Sequence, residues 1–258
     1  MMNAELIGQS LNTRALGKKI YSFETLDSTN TFARKLFDED SPHGTLVVAE
    51  EQTAGRGRQG RRWQAQKGKN LLFSVVLRTP FIQERARILP FVGALAAADA
   101  VEQLTHCSVE CKWPNDLLID KRKFAGMLIE AVTQNDVVTS VIMGVGINVN
   151  QREFPDEIKS KATSLAEHEE NDIDRIQLLC RIMEELEQRL EQLRQFSPQV
   201  LLDDWKRRTT MFGSRITLTE QAGQSSGKAI DLATNGALII ENETGIRREI
   251  FAGDVTLG

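Results

Sequence analysis

The sequence predicts an α+β protein: a largely antiparallel sheet with helices, followed by a small β-barrel. The first sign is the stretch 109–150, where strand-like runs succeed one another across short polar turns. The second is a change of period after Asp172. Ile176, Leu179, Met183, Leu186, Leu190 and Leu193 recur at steps of three and four, the stripe of an amphipathic helix of about five turns. The third lies beyond Phe212-Gly213, where five short strands separated by glycine turns fill about 45 residues, the texture of a small barrel.

Taken in order, residues 1–20 are weakly patterned and read as a lead-in segment, 21–210 as the larger domain and 211–258 as the barrel. "YSFETLDSTNTFARKLFDED" reads as a strand, a cap and a helix. Ser28, Thr29 or Asn30 can supply the cap, and Phe32, Leu36 and Phe37 the apolar stripe. "TLVVAE" (45–50) and "NLLFSVVL" (70–77) are buried-type strands. Residues 87–104 are Ala-rich and apolar on several sides, as a buried helix would be. "VECKW", "DLLID", "KFAGMLIEAV" and "VTSVIMGVGINVN" follow as strands, with "DKRK" (120–123) and "TQND" (133–136) as turns. After the long helix, Pro198 opens another that runs through Trp205.

Composition excludes several classes. With 41% hydrophobic and 26% charged residues, the chain can build a core without staples. A net charge of −4 argues against a general nucleic-acid binder, so any anion site must be local. No apolar stretch approaches the ~20 residues of a membrane span, and the start has no secretory core. Cys107, Cys111 and Cys180 are odd in number, and no second Cys/His pair completes a zinc site with His106. Buried free thiols in a reducing cytoplasm are expected, with no protein-built metal centre.

Against that acidic background, "TAGRGRQGRRW" (53–63) holds four arginines and three glycines. Its Gly55-to-Gly60 spacing imitates a P-loop. Arg61 and Arg62, however, stand where that motif needs Lys and Ser/Thr, so a P-loop is rejected. A dinucleotide loop at Gly144-x-Gly146 fails too, because the segment continues as strand. Guanidinium forks still suit phosphate oxygens. Such a loop should repel itself when empty and order around an anion; a solvated basic turn has the same composition. In "KWPNDLL" (112–118), Lys112 sits at a strand end beside Asn115 and Asp116, where it could neutralise a carboxylate and a phosphate together. Gly126 marks a bulge or a close approach. Gly144 and Gly146 should leave a side-chain-free trough for a flat ligand, with Asn148 offering a donor and an acceptor.

"LDSTN" (26–30), "AEEQTAGRGRQGRRW" (49–63), "KWPNDLL", "KFAGMLIE" (123–130) and "GVGINVN" (144–150), in this order, resemble the biotin protein ligase family, and "GALII…AGDV" resembles its C-terminal barrel. The resemblance spans about residues 20–258 and implies a mixed sheet like that of class II aminoacyl-tRNA synthetases, with helices on one side, then an SH3-like barrel. It implies ATP-dependent biotinylation of a carrier-protein lysine through biotinoyl-5′-AMP, with Mg²⁺ accompanying ATP. Carried over by position, Ser28, Thr29, Gln52 and the backbone at Gly55 and Arg56 would bind biotin, and Gly126, Gly144 and Gly146 would line its pocket. Arg58 and Arg61 would meet the phosphates, and Lys112 would bridge carboxylate and α-phosphate. Asn115 and Asp116 would orient phosphates, metal or the incoming lysine, Asp116 being a candidate proton acceptor. Asn148 would read adenine, and Trp63 would border the nucleotide. The implied partner is a biotin carboxyl carrier domain, and pairing through the sheet would give a homodimer. Gln59 departs from members with a further arginine there, which puts retention of the adenylate in doubt. Only 25 residues precede Leu26, too few for the DNA-binding domain of many bacterial members; whether that domain was removed or never present is left open, and no nucleic-acid binding is expected of this stretch of chain. A nucleic-acid-binding or regulatory module on the same fold, or a lipoate ligase, are the alternatives.

Overall fold

The computed structural model describes residues 2–38, 41–78, 83–134, 137–220 and 223–257. Seven strands form the larger sheet: β1 (Ile20–Phe23), β2 (Thr45–Ala49), β3 (Leu71–Leu77), β4 (Glu110–Lys112), β5 (Asp116–Ile119), β6 (Arg122–Gln134) and β7 (Val137–Ile147). Their order is β1-β2-β3-β7-β6-β5-β4, with only the β1–β2 pair parallel. β2 and β3 are apolar without alternation because they are central and buried on both faces. The predicted turn at 133–136 includes Asn135 and Asp136, which lie outside the described residues.

Helices are α1 (Ala4–Ser10), α2 (Thr29–Asp38), α3 (Gln83–Ala86), α4 (Leu89–Leu104), α5 (Asp156–Lys159), α6 (Arg175–Gln195) and α7 (Pro198–Lys206). Most of α4 is buried, which is why its sequence shows no polar face. It packs with α6 onto the sheet face that carries Leu46, Val48, Val75, Leu77, Val141 and Met143. Asp174 caps α6 by accepting from the Ile176 and Gln177 N–H groups, and Ser197 caps α7 ahead of Pro198. The helices are not confined to one side. α2 lies on the opposite face, packing Ala33 and Leu36 against Val47, Val76 and Ile142. The Phe37 side chain, expected in that stripe, lies outside the described residues.

The weakly patterned lead-in is built into the body. Met2, Ile7 and Leu16 are fully buried. Glu187 on α6 accepts the N–H groups of Arg14, Ala15 and Leu16 at 2.6, 2.7 and 3.0 Å. Those contacts lie on α6, far along the chain, and no local pattern announces them. Between helices, Asp99 of α4 takes Arg189 at 2.7 Å and Arg208 at 2.6 Å, joining α4, α6 and the segment after α7. That segment also covers a sheet edge, where Cys111 N–H in β4 donates to Arg208 O at 2.7 Å; nearby, Trp113 Nε1 donates to Gly236 O, far along the chain, at 3.2 Å.

β8 (Arg215–Glu220), β9 (Gly223–Leu232), β10 (Leu238–Glu241), β11 (Arg247–Ile250) and β12 (Asp254–Leu257) form a second, antiparallel sheet in the order β11-β10-β9-β8-β12. The three cysteines are free and buried. Among the described residues no helix is long and apolar enough to cross a membrane.

Candidate active site

Register sets the floor of the site. Residues directly opposite one another share a face. Asp116, Gly126, Gly146 and Leu72 make one row across the sheet, and Leu128, Gly144, Ser74 and Val47 make the next. These rows lie on the face of α2, beyond its first turn. A cavity of about 1110 Å³ opens there, lined by Ser28, Thr29, Gln52, Arg56, Arg58, Arg61, Trp63, Lys112, Asn115, Asp116, Gly126, Gly144, Gly146 and Asn148, with Asp254 from the second sheet. Gly55 stands at the neck of the arginine loop. A side chain there would come within 2.6 Å of Trp63 O, whose own N–H bonds to Gly55 O at 3.0 Å.

One end is a closed hydrogen-bond network. Gln52 Oε1 accepts from Thr29 N–H at 2.7 Å and lies 3.1 Å from Thr29 Oγ1. Ser74 Oγ donates to Asn30 Oδ1 at 2.6 Å and lies 2.7 Å from Thr29 Oγ1. Ser28, Thr29 and Asn30 are all buried at the start of α2.

The expected empty trough is filled. A Cβ on Gly144 would lie 2.1 Å from Asn30 Oδ1, and one on Gly146 would lie 2.6 Å from the Trp63 ring. The glycines admit these two side chains. Sequence shows that a strand glycine makes room but not for what. Gly126 likewise accommodates an ion pair, Lys123 Nζ to Asp116 Oδ1 at 2.6 Å, with Lys123 Nζ also 5.4 Å from the Trp63 ring centre. The Asp116 carboxylate that would accept a proton is thus half committed to Lys123.

The loop carries its own counter-groups, contrary to the self-repelling spring expected of it. Arg56 pairs with Glu130 at 3.0 Å, Arg58 Nη1 donates to Asn115 Oδ1 at 3.2 Å, Arg61 pairs with Asp254, and Arg62 donates to Thr53 O at 2.7 Å. Gln59 (φ 56°) and Gly60 (φ 74°) turn its tip through the left-handed region. Asn115 also donates to Met127 O, so its side chain braces Arg58 against the sheet.

Other groups are left over. Among the described residues no carboxylate pairs with Lys112; burial lowers its ammonium below the ordinary lysine range, with Asp116 opposing. Asn148 is buried and its Nδ2 donates one of its two N–H groups to Thr163 O at 3.0 Å. Its Oδ1 and Trp63 Nε1 have no hydrogen-bond partner among the described residues. Asn148 therefore presents a free acceptor, suited to an exocyclic amine. Both residues line the cavity, so these groups are open to a ligand's polar atoms.

Models of the biotin/lipoate A/B protein ligase family and of the biotin protein ligase C-terminal domain match residues 22–148 and 211–258. The Bacillus subtilis bifunctional ligase/repressor BirA is 36% identical over 96% of this chain and 77% of its own. The chain belongs to the biotin protein ligase family. The Mycobacterium tuberculosis biotin–[acetyl-CoA-carboxylase] ligase is 36% identical over 82% of this chain and 78% of its own. The Aquifex aeolicus biotin protein ligase, solved in complex with biotin and ATP, superposes with a TM-score of 0.80 at 32% identity, covering 93% of this chain and 99% of that one. Within this family member, sequence reasoning missed Asn30 as a packing partner, Glu130 and Asp254. Glu130 closes a motif that was visible. Asp254 reaches the loop from another sheet, and no spacing signals it.

Proposed function

We propose that this chain joins biotin to a carrier-protein lysine in two steps. Biotin's carboxylate oxygen attacks the α-phosphorus of ATP, forming biotinoyl-5′-AMP and releasing pyrophosphate. The carrier lysine amine then attacks the acyl carbon, expelling AMP and losing a proton. The observation that carries this reading is the partly buried Lys112, without a carboxylate partner among the described residues, in a cavity shared with the arginine loop and the Asn148 Oδ1 acceptor. Two anions must meet there, and a partly desolvated cation between them offsets their repulsion.

Ser28, Thr29, Gln52 and the backbone at Gly55 and Arg56 hold the ureido ring at the closed end, and Gly126, Gly144 and Gly146 shape its pocket. Arg58 and Arg61 leave Asn115 and Asp254 for the phosphates, Asn148 accepts from the adenine amine, and Trp63 borders the base. Asn115 and Asp116 orient the phosphates and the incoming lysine. Among the described residues no cluster of three His, Cys, Asp or Glu side chains is placed to hold a metal. Mg²⁺ would therefore arrive on the triphosphate, as it commonly does, and supply charge neutralisation there. The acceptor in this reading is a biotin carboxyl carrier domain. Free, buried thiols support a reducing compartment.

The test is ATP–pyrophosphate exchange with biotin, with lipoate, and with neither. Exchange that requires biotin is expected. Exchange indifferent to biotin, or driven equally by lipoate, overturns the assignment.

A further inference from the structure

Glu130 ends the motif that begins at Lys123, and the chemistry above gives it no task. It lies on β6 opposite Ile142, with a side chain only 14% exposed. A carboxylate so placed needs partners, and it has two of different kinds. Oε2 accepts from Asn30 Nδ2 at 2.8 Å, while Oε1 takes Arg56 Nη2 at 3.0 Å. Arg34, about half exposed, stands further off at 4.0 Å. Asn30 is fixed in turn: its Oδ1 accepts from Ser74 Oγ, and its amide fills the space above Gly144. Arg56 belongs to the stem of the arginine loop, bridged to Arg62. Glu130 therefore stands between an immobile floor and a projecting loop.

The loop's contacts differ in how easily a phosphate can replace them. Arg58 is held by a neutral amide, and Arg61 by a carboxylate on the second sheet. Arg56 is held by a mostly buried carboxylate on the strand beside Gly144. Tip arginines can exchange partners while the stem stays pinned.

We infer that Glu130 is a positioning residue that latches the arginine loop to the closed end of the cavity, gripping Arg56 on one side and Asn30 on the other. The names of the two ends rest on the ligase reading; the latch itself does not. Loop closure is thereby tied to the residues beside Ser28 and Thr29, so ordering one end favours the other.

Glu130→Gln separates the two arms. The amide oxygen still accepts from Asn30, whereas the amide nitrogen faces Arg56 as a second donor. The first readout is trypsin cleavage within 56–62 of the ligand-free chain, which requires the loop to open. Cleavage should rise about three- to tenfold, the range for a charged hydrogen bond to a half-exposed arginine. The ATP KM should rise by a similar factor, with kcat within about twofold. Arg56→Gln should raise cleavage at Arg58, Arg61 and Arg62 as much, and adding Glu130→Gln to it should change nothing further. Wild-type cleavage in Glu130→Gln, or an undiminished effect in the Arg56→Gln background, overturns the latch. Because cleavage is measured without substrate, its outcome is independent of the exchange assay that decides the ligase reading.

Discussion

The two ends of the cavity are built on opposite plans. Around Thr29, Asn30, Gln52 and Ser74, donors and acceptors are matched within the chain at 2.6–3.1 Å. Around Lys112, Trp63 and Asn148, an ammonium, an indole N–H and an amide oxygen are buried or partly buried without partners among the described residues. A ligand at the matched end exchanges one hydrogen bond for another, worth about 0.5–1.5 kcal/mol net. At the unmatched end it removes desolvation costs of about 1–3 kcal/mol for each orphaned group. Rigidity is concentrated at the first end, and binding energy at the second.

The largest test of that contrast is Lys112→Ala. Loss of a preorganised cation at the reacting centre should slow biotin-dependent ATP–pyrophosphate exchange by about 10²–10³-fold. Biotin affinity of the free protein, by calorimetry, should fall as well, because the biotin carboxylate loses its counter-charge. A rate within tenfold of wild type removes Lys112 from the reaction.

Next come the two glycines. Gly144→Ala drives a methyl into Asn30 and should destabilise the fold by about 1–3 kcal/mol, lowering Tm by about 2–4 °C for each kcal/mol. Gly146→Ala meets the Trp63 ring first, where the biotin pocket adjoins the unmatched end. It should raise the KM for both biotin and ATP, with a smaller loss of Tm. Equal thermal losses in the two variants would erase the distinction between the ends.

Asn148→Ala is expected to raise the ATP KM about tenfold, the value of one well-placed acceptor, with the biotin KM unmoved. A matching rise in the biotin KM would place Asn148 outside base recognition.

The smallest effect is in pH. Burial lowers Lys112, and in the proposed role the cation is the working form. Activity is therefore full at lower pH and is lost as pH rises through the depressed value. The alkaline limb of kcat/KM for ATP should fall earlier than an ordinary lysine would titrate. The limb in kcat should lie higher, because bound anions favour the proton. Coincident limbs would mean that the anions do not contact Lys112.

What could be read in advance follows the range of each interaction. The long amphipathic helix, the buried Ala-rich helix and the short strands of the second sheet are local patterns, and they are where the sequence put them. The arginine loop and the Lys112 corner stood out because charge on glycine, and a lysine beside Pro-Asn-Asp, are unusual in short windows. What escaped depends on register and on distant chain. Asn30 above Gly144 follows from the β3–β7–β6 pairing. Asp254 on Arg61 joins residues from different sheets. The burial of Ile7 depends on α6, and Glu187's hold on residues 14–16 connects opposite parts of the chain.

The covering of β4 by Arg208 has a consequence for how the protein is made. Synthesis proceeds from the N-terminus, so Lys112's strand emerges long before the segment that seals its outer edge. At ordinary elongation rates the gap is on the order of ten seconds. From the completion of β7 until that segment arrives, the β4 edge has bare N–H and C=O groups able to pair with a neighbouring nascent chain. Asp254, the Arg61 partner, emerges later still. The ribosome thus releases Lys112 early, with its edge unguarded, and delivers the guard afterwards.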